Sequence, residues 1–193
     1  MWLHKRAVDE TWGDDQLPRL KKRARRSLPG LYYCLASLCA VTVVIVLLSM
    51  LFRPCEVQGD SMNPTLHNGD RLLLFNWDYE PAVGDIVAIR REEGSPLIKR
   101  VIALGGDRLF IDPASGAVYC NGRLLDEPYL TSRTAPIHLA GEITVPEGML
   151  FVMGDNRAHS RDSRYADVGP IAVDQVIGKA VWRFYPFADL GGV

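Results

Sequence analysis

LYYCLASLCAVTVVIVLLSMLF occupies residues 31–52, and GDSMNPTL follows at residues 59–66. The first stretch decides how the chain is organised. It runs 22 residues without a charged side chain. At about 1.5 Å per residue, a helix of that length crosses a hydrocarbon core of about 30 Å. Residues 41–48 are apolar on every side except at Thr42. A soluble core helix would carry a one-sided stripe instead. A cleaved signal peptide fits less well, since its apolar region is about 7–15 residues and sits nearer the start. The sequence therefore predicts one transmembrane helix at 31–52.

Charge sets the expected orientation. Arg19, Lys21, Lys22, Arg23, Arg25 and Arg26 precede the helix with no acid among them. Residues 1–30 carry 8 basic and 4 acidic side chains, and the rest of the chain carries 14 and 19, which together give the net −1. Positive flanks stay cytoplasmic. Residues 1–30 are thus expected in the cytoplasm and residues 53–193 on the exoplasmic side. The balance suggests no nucleic-acid partner.

The exoplasmic part has the length of one domain. Apolar runs at 71–75, 85–89, 97–104, 148–153 and 175–184 are separated by Gly- and Pro-bearing turns. That pattern predicts a mainly β domain. Asn121-Gly122, between Val118-Tyr119-Cys120 and Arg123-Leu124-Leu125, is a two-residue hairpin signal. Residues 129–142 have the weakest pattern, so a small loop-rich excursion is expected at about 110–147. Cys34 and Cys39 lie in the apolar helix and read as packing residues. Cys55 and Cys120 fall in a compartment that permits a disulfide, but nothing in the sequence pairs them. No C-x-x-C and no histidine cluster suggests a metal, and no cofactor is expected.

Ser61 stands in a turn that Pro64 stiffens and Gly59 leaves open to an approaching chain. Alone, Ser-Met-Asn-Pro reads as a surface turn. Lys99 lies among Leu97, Ile98, Val101 and Ile102. Burial lowers a lysine's pKa and makes it a base, and the neighbouring Arg100 would push the same way. Strand alternation turns Lys99 and Arg100 to opposite sides, so one is expected buried and the other exposed. Only the lysine can be deprotonated. Ser160, Asp162 and Arg164 alternate along a third stretch, where an acid and an arginine can pair and a hydroxyl can orient an amine. A salt-bridged loop is the plainer reading of those three. The histidines suggest no triad.

Taken in order, four boxes resemble bacterial type I signal peptidase, the membrane-bound serine–lysine leader peptidase: SMNPTL (61–66), GDIVAI (84–89), KRVIALGGD (99–107) and GDNRAHSRDSR (154–164). The short chain and single anchor look like the smaller Gram-positive-type enzymes. The resemblance implies a catalytic domain of coiled β-sheets or a barrel. It implies Ser61 as nucleophile and Lys99 as general base. Ser160 would hydrogen-bond the lysine amine, and Asp162 and Arg164 would support the site as a pair. Val57, Met62, Leu66 and Ile98 would line shallow pockets for small P1 and P3 side chains. The family's oxyanion hole uses the nucleophile's backbone N–H and, in some members, a serine two residues earlier; here that position is Gly59. The implied substrates are secretory preproteins, cut by a monomer held in the lipid bilayer.

Two other readings compete. A self-cleaving SOS-repressor-type protein also uses serine and lysine, but Pro64-Thr65-Leu66, the 154–164 box and the anchor argue against it. A catalytically dead, membrane-anchored peptide-binding module would differ only in failing to cut.

Overall fold

The computed structural model describes residues 16–91 and 94–193. The start of the basic segment, and the side chains of its arginines and lysines, lie outside the described residues. The chain divides into two units, Met1–Leu48 and Ser49–Val193.

Helix α1 runs from Gln16 to Leu51, 36 residues. It begins well before the apolar run. Within it, Gly30–Leu51 has mean hydropathy 2.7 and is long and apolar enough to cross a membrane. Its two mid-helix hydroxyls bond back to helix carbonyls, Ser37 to Cys34 O and Thr42 to Leu38 O, both at 2.9 Å. Such back-bonding satisfies both hydroxyls without water. The helix stops one residue sooner than expected. Phe52 opens strand β1 (Phe52–Glu56) and pairs with Phe75, the rings 5.7 Å apart. Pro54 explains the break: it has no N–H for a helix and disfavours helical geometry at Arg53. A proline is tolerated there because β1 lies at a sheet edge.

In chain order the remaining strands are β2 (Arg71–Phe75), β3 (Ile86–Ile89), β4 (Leu97–Leu104), β5 (Arg108–Ile111), β6 (Val118–Cys120) and β7 (Arg123–Leu124). Then come β8 (Ile143–Thr144), β9 (Met149–Met153), β10 (Ile171–Ala172), β11 (Val176–Tyr185) and β12 (Gly191–Gly192). The larger sheet has the order β1-β2-β11-β3-β4-β9-β10, with β12 added on β11. Among the described residues its path is open at both ends, so the sheet is a curled half-barrel. Irregular registers interrupt β11 and the β4–β9 pairing, and such bulges bend and twist strands.

The excursion proves more ordered than a loop. A second sheet, β7-β6-β5-β8, spans it. Its β6–β7 hairpin turns at Asn121 (φ 52°) and Gly122 (φ 75°). Both angles are positive, as a two-residue turn between twisted strands requires. Between Leu124 and Ile143 the chain has no regular element.

One apolar cluster gathers Val57, Met62, Leu66, Leu72, Leu74, Ile86, Ala88, Ile98 and Ala180. A second, holding Leu109, Ile111, Val118 and Phe151, joins the smaller sheet to the larger. Cys55 packs on the first cluster and Cys120 on the second, and both are free thiols.

Candidate active site

Ser61 stands in the loop that joins β1 to β2. The loop is closed at its base, where Val57 N–H donates to Asp70 O (2.8 Å) and Gly69 N–H to Val57 O (2.9 Å). Gly59 adopts φ +79°, a conformation that side chains disfavour, and its N–H donates to Asn68 Oδ1 at 2.8 Å. Met62 and Leu66 anchor the turn from below, 1% and 0% exposed. From the far end of the chain, Asn156 N–H donates to Ser61 O and Asn156 Nδ2 to Asp60 O, each at 3.0 Å. Thr65 Oγ1 donates to Asp155 Oδ2 at 2.5 Å. The turn is therefore held on three sides before any substrate arrives.

Lys99 lies on β4, 3% exposed. Its Nζ donates to Ser61 Oγ at 2.6 Å and to Ile98 O at 3.1 Å. Burial pushes its pKa down from 10.5 to about 8; Asp162 and Asp155 resist that shift and Arg164 assists it. The expected help from Arg100 does not appear. That side chain is neither free nor exposed: it is 11% accessible and bound bidentately to Asp155, Nε to Oδ1 at 2.8 Å and Nη2 to Oδ2 at 2.6 Å. Alternation does send the two neighbours to opposite sides, but Arg100 is partly buried rather than exposed.

Asp162 and Arg164 form a fully buried pair, with Nε–Oδ1 at 2.8 Å and Nη2–Oδ2 at 2.9 Å. Asp162 also accepts from Gly154 N–H (3.0 Å), and Arg164 donates to the carbonyls of Arg157, Ser160 and Ala135. The pair thus ties the ends of the 154–164 turn together. Ser160 departs from expectation. Its hydroxyl is buried but makes no hydrogen bond, to Lys99 or to anything else among the described residues. It lies instead against Gly154, where an added Cβ would overlap both Ser160 Oγ and the Ser61 carbonyl. Val57, Met62, Leu66 and Ile98 come together in the first apolar cluster, each at most 5% exposed.

Reading the sequence by alternate residues singled out Ser160, Asp162 and Arg164 and gave no part to Gly154, Asp155 and Asn156. These three lie in a turn, where period-two logic fails. Their signal is compositional, because Gly-Asp-Asn is turn chemistry, and it gives no hint of which carbonyl or guanidinium they meet.

A buried amine within hydrogen-bond reach of a serine hydroxyl has the geometry of a base beside a nucleophile. The chain belongs to the signal peptidase family, peptidase S26, whose model matches residues 31–185. It is a serine endopeptidase of the family that removes signal peptides from secreted preproteins. Signal peptidase I of Bacillus amyloliquefaciens is 34% identical over 190 residues, covering 92% of this chain and 97% of that one. Signal peptidase I T of Bacillus subtilis is 36% identical over 163 residues, covering 78% and 83%. A crystal structure of a signal peptidase I from Enterococcus faecalis V583 is 32% identical and covers 53% of this chain and 98% of that one, with a TM-score of 0.45.

Proposed function

We propose that this protein cuts preproteins after small P1 residues with a Ser61–Lys99 dyad. The observation that carries the reading is the 2.6 Å contact between Lys99 Nζ and Ser61 Oγ in a site that excludes water from the amine. With the amine neutral, the same contact lets the Ser61 O–H donate to Nζ. Lys99 takes that proton as Ser61 Oγ attacks the scissile carbonyl. The resulting oxyanion is met by the Ser61 N–H, which makes no hydrogen bond within the described residues. A second donor is not supplied by Gly59 N–H, already bound to Asn68. Lys99 then passes its proton to the leaving amine and activates water against the acyl-enzyme.

The substrate lies extended between residues 55–58 and the start of β4. β4 pairs with β3 from Leu97 onward but with β9 only from Arg100, so among the described residues Leu97, Ile98 and Lys99 have a strand on one side only. An added strand satisfies such an edge. Gln58 and Ser95, one on each wall, hydrogen-bond at 2.5 Å, so the walls are close. Val57, Met62, Leu66 and Ile98 then form the shallow apolar floor for P1 and P3. Ser160, Asp162 and Arg164 hold the 154–164 turn against the dyad. The protein acts as a monomer anchored in the bilayer by α1, with its N-terminus cytoplasmic and its catalytic domain exoplasmic.

Incubation of the purified chain with a preprotein, with the cut mapped by mass spectrometry, tests the reading. A single cut after a small residue is expected, absent in Ser61→Ala. Normal turnover by Ser61→Ala overturns the dyad, and no cut by the parent protein favours the peptide-binding module.

A further inference from the structure

Residues 127–134 leave the smaller sheet and reach across to the site, yet the dyad chemistry uses none of them. The Arg100 guanidinium sits 3.9 Å from the centre of the Tyr129 ring. The Tyr129 hydroxyl donates to Glu127 Oε1 at 2.8 Å. Glu127 is paired with Arg157, Nη2–Oε1 at 2.5 Å and Nη1–Oε2 at 3.1 Å, with both side chains under 10% exposed. The buried Thr134 hydroxyl accepts from the same guanidinium. Arg157 Nε returns to Gly154 O at 3.2 Å. On its other side Arg100 holds Asp155 in two bonds and donates to Gly84 O at 2.8 Å.

Desolvating this many charges is costly, and apolar packing would close the same gap at less expense. The arrangement is therefore better explained by where it places charge. We infer that residues 127–134 are a strap that holds the Arg100–Asp155 pair in place and thereby sets the electric field at Lys99, with Tyr129 as its positioning residue. The inference rests on the Ser61–Lys99 reading.

Four charged groups bear on the Lys99 amine. Asp155 and Asp162 favour its ammonium form, and Arg164 opposes it. Arg100, the fourth, acts through Asp155, whose carboxylate it neutralises. Asp162 has Arg164 as a permanent buried partner. Asp155 depends on Arg100 and the Thr65 hydroxyl. Burial works against the Arg100 charge, Asp155 and then Glu127 favour it, and the neutral Tyr129 ring covers its face. Across β3 the residue opposite Lys99 is Val87, which carries no charge. Without the aromatic ring, Arg100 gains freedom to leave Asp155. The bared carboxylate then stabilises the ammonium, and a higher pH is needed to form the base.

The test is the pH profile of kcat/KM for preprotein cleavage by the full chain in lipid vesicles. Tyr129→Leu should move the rising limb to higher pH by about half a unit, less than the full cation–π contact because Arg100 reaches Lys99 only through Asp155. Tyr129→Phe keeps the ring over Arg100 and should restore the parent limb. A purely structural role would lower activity equally at every pH. A Tyr129→Leu limb superimposed on the parent's, at any level of activity, overturns the strap, and so does an equal shift in Tyr129→Phe. Ser61→Ala and Lys99→Arg are assayed alongside: turnover by either overturns the dyad itself, whereas their inactivity with an unmoved Tyr129→Leu limb overturns the strap alone.

Discussion

At the scale of single residues the site turns on one buried amine. Folding drops the Lys99 pKa from 10.5 to about 8 because its ammonium form loses water. Two consequences have opposite signs. kcat/KM should rise with pH through a limb near 8, as the amine loses its proton and becomes a base. Stability is lowered wherever the ammonium is buried, below about pH 8. Between about 8 and 10.5 the unfolded chain holds the extra proton, so stability climbs with pH. The gap between the two values corresponds to about 3 kcal/mol. Lys99→Met should therefore be inactive yet melt at a higher temperature than the parent at neutral pH. Calorimetry checks this, and a lower melting temperature would mean that the amine is stabilised by its neighbours rather than strained.

At the scale of elements the site is a turn pressed against a loop. Gly154 is where the two meet. Its backbone does not need a positive φ; it needs space, because a side chain would overlap Ser61 O and Ser160 Oγ. Gly154→Ala should push the nucleophile turn away from Lys99. We expect kcat to fall by about a hundredfold, the scale of a 1 Å misplacement, while KM changes little. Steady-state kinetics with circular dichroism would separate this from unfolding. Not all of this was legible beforehand. The runs at 71–75 and 97–104 coincide with β2 and β4 because long apolar runs between turn residues leave few alternatives. β5, β8 and β10 have two to four residues each and exist through their partners, so no local pattern marks them. Ser61 and Lys99 stood out by chemistry. Arg100 did not: its two-bonded acid lies 55 residues on, a distance that only folding closes.

At the scale of the whole molecule, a charged domain follows an apolar helix. Of the aromatic set Trp77, Trp182, Phe184, Tyr185 and Phe187, which the sequence alone suits equally to core or membrane surface, all but the partly buried Phe184 are exposed on the domain. Aromatic side chains of that kind suit a lipid–water interface. The charge asymmetry across residues 31–52 predicts that a reporter fused after Val193 is active only on the exoplasmic side. Cytoplasmic activity of that fusion would reverse the topology and separate the site from secreted substrates. On the proposed reading, the anchor, the β4 edge and the buried amine serve one purpose, which is to bring an emerging chain to a serine that needs no histidine. The most direct test of that claim is single-turnover cleavage of a preprotein by Lys99→Arg in vesicles. Arginine keeps the positive charge but does not give up its proton at working pH. The account predicts no product above that formed by Lys99→Ala, in a protein that still folds. Turnover near the parent rate would contradict it, because some other group would then take the proton from Ser61.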